Sequence, residues 1–263
     1  MKTAVIQFNA TDNKNLNIKK AVFLVEKAAK AKAKFILLPE VFIYRGTWDE
    51  KIRAAVYESI PGPTSSLFCS LAKKYSVHIL LGSIYEKSKN SKKAYNSSVL
   101  IDNNGRIARK YQKMNLFEAI VGEKKIKESE QFLRGKKPVT AMIGKFKIGL
   151  SVCFDLRFPE LYRRYYKEGV NVLCVPSAFT KITGQAHWEI LLRARAIENL
   201  SYVLAPNQIG QDAKGIEYYG HSLIIDPWGR ILKEASAEKE EIIYATLDVE
   251  TIMEKRKKLS INR

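Results

Sequence analysis

The stretch Lys147-Ile148-Gly149-Leu150-Ser151-Val152-Cys153-Phe154-Asp155-Leu156-Arg157-Phe158-Pro159-Glu160 decides how this chain is read. Ile148 to Val152 is a short apolar run, the pattern of a buried strand. Pro159 fits the first position of a helix, where its missing N–H costs nothing, and Glu160 suits the positive end of the helix dipole. The spacing predicts a strand-to-helix corner with Cys153 at the bend. A thiol held there points out of the sheet, and nearby backbone N–H groups can bind an oxyanion. That placement suits acyl transfer.

Outward from this corner the pattern repeats. Apolar, β-branched segments (Ala4 to Phe8, Phe35 to Leu38, His78 to Tyr85, Ile148 to Cys153, Val170 to Val175) alternate with helical stretches (Asn15 to Lys32, Pro63 to Tyr75, Pro159 to Glu168, His187 to Asn199). Such alternation predicts an α/β fold with strands covered by helices. Further strands are expected near Ser201 to Pro206, Tyr218 to Asp226, Arg230 to Glu234 and Ile242 to Leu247. Asn103-Asn104-Gly105 and Asp226-Pro227-Trp228-Gly229 read as hairpin turns. The polar stretches Lys87 to Lys93 and Gly122 to Glu128 read as loops. With 263 residues and 46% hydrophobic content, one domain spanning 1–263 is the economical expectation.

A cysteine at a corner is open to two readings, packing or nucleophile, because free cysteines usually fill space. Cys69, on the apolar stripe of a helix, and Cys174, inside a strand, read as packing. Glu40 ends the run Phe35-Ile-Leu-Leu-Pro-Glu40, where burial would raise its pKa toward neutrality and make it a usable base. Lys113 follows a strand-like segment, where its ammonium could hold the oxygen of a tetrahedral intermediate. Taken singly, Glu40 reads more readily as an exposed strand-end carboxylate and Lys113 as one more solvated lysine.

Together these segments resemble the nitrilase superfamily of carbon–nitrogen hydrolases, whose pattern is a glutamate in L-P-E, a lysine in K-x-H-L-F and a cysteine in C-[YF]-D-x-R-F-P-E. The likeness spans nearly the whole chain, from Ala4-Val-Ile-Gln-Phe8 through Tyr95-Asn96 to Gly220-His-Ser-Leu-Ile-Ile-Asp-Pro-Trp-Gly229. Thr183 to Asn199 resembles the Nit-type amidase branch. The resemblance implies an α-β-β-α sandwich of two mixed sheets flanked by helices, commonly paired into homodimers. It implies Cys153 as nucleophile, Glu40 as general base, Lys113 as oxyanion cation with the backbone N–H of Phe154, and Glu128 as the second glutamate. Glu118, Glu123 and Glu130 lie close enough to compete for that last place. Asn115 stands where the family usually has histidine, and Glu118 where it usually has aspartate.

The implied activity is hydrolysis of a small carboxamide to an acid and ammonia through a thioester, in the manner of omega-amidases or deaminated glutathione amidases. Cys153-Phe-Asp155 differs from the C-W-E of true nitrilases; N-carbamoyl-amide or nitrile hydrolysis is the alternative within the superfamily. Tyr44, Arg157, Phe179 and Arg195 are candidate substrate contacts, as are Asp155 and Glu160. An ion network at the elbow is the more ready reading of Arg157, and pairing with Glu189 four residues away is that of Arg193. His78, His187 and His221 show no metal-ligand clustering; no metal or cofactor is expected.

The net charge of +18 raises a rival class, a basic nucleic-acid-binding protein. Its lysines are scattered, however, without aromatic interleaving or a groove-reading motif. The N-terminus lacks the apolar core of a signal peptide, no stretch is long enough to span a bilayer, and the three cysteines suit reduced thiols. The expectation is a cytoplasmic enzyme with no membrane partner and no specific nucleic acid. A catalytically inactive assembly subunit would not need Glu40, Lys113 and Cys153.

Overall fold

The computed structural model describes residues 1–89, 92–121 and 124–259. In chain order the first part comprises β1 (Lys2–Gln7), α1 (Lys14–Lys30), β2 (Phe35–Leu37), α2 (Glu50–Val56), α3 (Pro63–Tyr75), β3 (His78–Lys87), β4 (Ala94–Ile101) and β5 (Ile107–Gln112). A hairpin of β6 (Glu118–Val121) and β7 (Lys124–Lys127) follows, then β8 (Phe132–Leu133), β9 (Val139–Ile143), β10 (Phe146–Leu150), α4 (Pro159–Lys167), β11 (Val172–Cys174) and α5 (Lys181–Asn199). The last part is β12 (Tyr202–Ala205), β13 (Ile209–Gln211), β14 (Glu217–Tyr219), β15 (Leu223–Ile225), β16 (Ile231–Glu234), β17 (Glu241–Thr246) and α6 (Val249–Lys258).

Two mixed sheets result. One runs β17-β1-β2-β3-β4-β5, with β8 added beside β4; the other runs β16-β15-β12-β11-β10-β9. Each has a parallel centre, β1-β2-β3 and β10-β11-β12, and antiparallel flanks. Helical crossovers join the parallel strands, as parallel pairing demands.

Period-two alternation sorts the side chains into layers. Val5, Leu37, Leu80 and Leu100 lie in register across the first sheet and pack with Ile148, Leu150 and Val172 of the second. Their neighbours Ala4, Ile36, Ile79 and Ile101 form the opposite row, packed with Leu24 and Val25 of α1 and Phe68 of α3. The second sheet is covered by Tyr162 and Tyr165 of α4 and Trp188 and Leu192 of α5. The architecture is an α-β-β-α sandwich. No helix among the described residues is long and apolar enough to cross a membrane.

Some boundaries differ from expectation. The strand through Cys153 ends at Leu150, because the chain peels away while the Ser151 and Cys153 N–H groups still donate to Cys174 O and Pro176 O. α5 begins at Lys181, ahead of His187, with the Thr180 side chain capping its N-terminus. The strand expected over Tyr218 to Asp226 breaks at Gly220 and His221, both at positive φ. The expected loop Gly122 to Glu128 contains β7; Gly122 and Glu123 lie outside the described residues, as do Asn90 and Ser91 in the Lys87 to Lys93 loop. The two expected turns do join β4 to β5 and β15 to β16.

One glycine sets the turn that carries Glu40. β3 shifts register between Leu81 and Ile84, and a Cβ at Gly82 would overlap the carbonyl oxygens of Leu38 and Pro39. Ser83 Oγ, beside it, accepts the Val41 N–H at 2.9 Å. Gly82→Ala must therefore displace rigid backbone. It is expected to lower stability by about 1–3 kcal/mol through overpacking. A thermal melt equal to wild type would refute this.

Candidate active site

Three segments leave strand ends and converge. Glu40 follows β2, Lys113 follows β5 and Cys153 follows β10. All three side chains are buried: Glu40 is 2% exposed, Lys113 1% and Cys153 8%. Glu40 Oε1 accepts from Lys113 Nζ at 2.9 Å and from Asn96 Nδ2 at 2.8 Å, while Oε2 accepts the Ala178 N–H at 2.9 Å. Cys153, Glu40 and Ala178 line one cavity, and the thiol lies within reach of the Glu40 charge.

Lys113 holds a second carboxylate. Its Nζ lies 2.9 Å from Glu128 Oε2, and that oxygen accepts the Phe117 N–H at 2.8 Å. Of the neighbouring glutamates, Glu128 is the one that meets Lys113; Glu118 begins β6, Glu130 is exposed at the cavity wall, and Glu123 lies outside the described residues. Lysine is thus a bridge between two acids rather than a solvated strand-end cation.

The electrostatics depart from one expectation. Burial does act to raise the Glu40 pKa, but the charge and hydrogen bond of Lys113, with help from Arg45, outweigh it, and the carboxyl sits below its ordinary value. Glu128 goes the other way, raised by burial and by the charge of Glu40 against the pull of Lys113. Burial and the Glu40 charge push the Cys153 thiol well above its ordinary value. The Lys113 ammonium, despite burial, is held well above its ordinary value by Glu128 and Glu40. The resting state is an ionised acid beside a neutral thiol. A buried thiol with a carboxylate acceptor can lose its proton only as its sulfur finds an electrophile.

The elbow is strained and braced. Cys153 has φ 47° and Val41, next to Glu40, has φ 44°, left-handed conformations that cost about 1–3 kcal/mol each for such residues. Asp155, fully buried, accepts from the Val152 N–H, Tyr111 Oη, Asn115 N and Asn115 Nδ2 at 2.7–3.0 Å. Its acceptor capacity is spent inside the protein, so the expectation of a substrate contact there fails. Asn115, at the family's histidine position, ties the Lys113 loop to the elbow through these bonds. The Phe154 N–H, between the bonded N–H groups of Cys153 and Asp155, has no acceptor among the described residues.

These groups form the floor of a cavity of about 460 Å³, walled by Trp48, Phe117, Phe154 and Phe179 among others. Phe179 and Arg157 line it, as expected. The Arg157 guanidinium lies over the Phe154 and Phe179 rings and contacts His187 Nδ1 at 3.2 Å; no carboxylate pairs with it among the described residues, so the ion-network reading does not hold. Two other candidates do not line the cavity. Tyr44 is buried behind its wall with its hydroxyl given to Thr47 O, and Arg195 is buried under the elbow, where it donates to Leu156 O at 2.9 and 3.1 Å and pairs with Glu198. Arg193 pairs with Glu189.

Sequence reasoning left Asn96, Ala178 and Arg45 without a role. Asn96 is 1% exposed, but with Ser97 and Ser98 beside it in β4 its residue type alone does not single it out. Ala178 contributes only backbone, and nothing in its sequence neighbourhood marks it.

The sequence pattern of the carbon-nitrogen hydrolase family matches residues 2–257. The chain is 36% identical over 262 residues to a deaminated glutathione amidase of Dictyostelium discoideum, covering 97% of this chain and 90% of that one. Nit3 of Saccharomyces cerevisiae, a member of branch 10 of the nitrilase superfamily, superposes with TM-score 0.88 at 31% identity, covering 100% of this chain and 95% of Nit3. The NitFhit protein of C. elegans gives TM-score 0.89 at 33% identity over 98% of this chain, which spans 63% of that protein. With its fold, its strand-end cluster and these relatives in agreement, the chain belongs to the carbon-nitrogen hydrolase family of the nitrilase superfamily and is a hydrolase of carbon–nitrogen bonds.

Proposed function

We propose that this protein is an amidase that hydrolyses a small carboxamide through a thioester on Cys153, with substrates akin to that of the deaminated glutathione amidases it resembles. The observation that carries the proposal is the buried Glu40–Lys113 pair, with Cys153 beside it on the wall of one cavity. As sulfur attacks the amide carbon, the thiol proton passes to Glu40. The carbonyl oxygen gains negative charge, met by Lys113 and the Phe154 N–H. Collapse of the intermediate breaks the C–N bond, and the proton on Glu40 goes to the departing nitrogen. Water then gives its proton to Glu40 and attacks the thioester; the acid leaves and the thiol is restored. Glu128 keeps Lys113 oriented, and Arg157 supplies a cation for an anionic part of the substrate.

The nucleic-acid-binding alternative is not favoured, because a charged surface alone specifies no site whereas the cluster does. One domain over 1–263, a homodimer and a cytoplasmic setting for the free thiols of Cys69, Cys153 and Cys174 complete the proposal.

An ammonia-release screen across small amides tests the reaction, with acyl capture by mass spectrometry. Wild type is expected to release ammonia and show an acyl adduct on Cys153; Glu40→Gln is expected to show neither. A normal rate of acylation in Glu40→Gln would remove Glu40 from the mechanism. Activity on nitriles alone would overturn the amidase reading.

A further inference from the structure

The same cavity holds a second set of charges away from the sulfur and the Glu40–Lys113 pair, although Arg45 also lends its field to Glu40. Arg45, beyond the Glu40 turn, and Lys214, in the turn between β13 and β14, both line it, with Asp212 buried beside them. Asp212 is already occupied. Its Oδ1 accepts the N–H groups of Lys214 and Ile216 at 2.9 and 3.0 Å, and its Oδ2 accepts the Tyr218 hydroxyl at 2.7 Å. Arg45 stacks over the Tyr218 ring at 4.5 Å and approaches Asp212 Oδ2 only to 3.6 Å, beyond hydrogen-bond length. Its Nε is buried with no hydrogen-bond partner among the described residues.

A guanidinium fixed in place with unused donors is prepared for an acceptor, since an unmade buried hydrogen bond is costly and the planar fork matches a carboxylate. The local field agrees. Burial, with the added field of Arg45, pushes the Lys214 amine below its ordinary value. An incoming anion would relieve that repulsion. Arg157, whose guanidinium sits over two rings and against His187, is a separate cation of the same cavity.

We infer that Arg45, with Lys214, forms a carboxylate-recognising subsite that holds an anionic group on the part of the substrate remote from the reacting carbonyl. The inference rests on the amidase reading of the neighbouring cluster. It makes Arg45 a specificity-determining residue, with Asp212 and Tyr218 as its supports.

Two measurements on the full chain test it. Glutarate serves as the binding probe in calorimetry, and glutaramate is compared with the uncharged pentanamide in turnover. Arg45→Gln is expected to weaken glutarate binding about tenfold or more, the value of hydrogen bonds to a charged group. The ratio of kcat/KM for glutaramate over pentanamide should fall by a similar factor, mainly through KM. Lys214→Met, at an exposed turn residue, is expected to fold normally and weaken glutarate severalfold. Asp212→Asn separates recognition from structural pairing: removing the competing anion should preserve or tighten glutarate binding, whereas a merely structural Arg45–Asp212 pair predicts the same loss as Arg45→Gln. Unchanged glutarate binding in both cation variants, or an unchanged substrate ratio in Arg45→Gln, would overturn the subsite. If glutarate binding depends on Arg45 while wild type cleaves neither amide, the subsite stands and the amidase reading falls.

Discussion

Cys153→Ala is expected to lose turnover by roughly 10⁴-fold or more, the scale seen when a nucleophile is removed from a cooperating set. Its fold should survive. The side chain is small and meets the cavity on one side, and the elbow is held by Asp155 from within and by Arg195 from α5. Alanine keeps the cost of φ 47°, so the two proteins should melt at similar temperatures. Cys153→Gly, which relieves that cost, is expected to melt higher than Cys153→Ala while remaining equally inactive. Amide turnover near the wild-type level in Cys153→Ala would refute the nucleophile assignment.

Lys113→Met is the second large effect, and it is structural as well as catalytic. It leaves the buried Glu40 and the partly buried Glu128 without their shared counter-charge, 2.9 Å from each. Removing one partner of a buried pair costs about 3–5 kcal/mol. The effect on Glu40 can be signed. With Lys113 present the carboxyl is held below its ordinary value; without it, burial is opposed only by Arg45 and the remaining donors, and the pKa rises. The base is then more readily protonated and a poorer acceptor for the proton of the thiol. In wild type the depressed pKa contributes stability that is complete above the unfolded-state value of about 4.3 and is lost as pH falls through the lower folded value. The acid limb of kcat/KM attributable to Glu40 should accordingly lie below the ordinary glutamate pKa. A Lys113→Met protein that melts like wild type at neutral pH would contradict the assigned bridge.

The strand-to-helix corner was readable because its evidence is local: an apolar run, a charged turn, and a proline where a helix starts. The same holds for the alternation that predicts α/β layers and for the two glycine turns. The division into two sheets was not local. Val5, Leu37, Leu80 and Leu100 form one row only because strands distant in sequence pair in register, and periodicity within each strand cannot say which face meets which sheet.

The site divides along the same line. Glu128 stood among neighbouring glutamates until the fold brought it to Lys113; Glu40, Lys113 and Cys153 could be named from short motifs, since each lies at an element end with a recognisable flank. Their protonation could not. Glu40 was expected to be raised by burial, and only the arrival of Lys113 from 73 residues away reverses the sign. Tyr44 and Arg195 looked like cavity residues by type, yet the turn around Thr47 and the packing of α5 under the elbow direct them elsewhere. Arg45 carried no mark in the sequence, because its unsatisfied donor exists only once Asp212 and Tyr218 are brought to it. Chain order and residue type thus determined which groups this protein can use for chemistry. Tertiary folding alone decided how they are charged and which of them face the cavity, because both depend on neighbours that the chain supplies from afar.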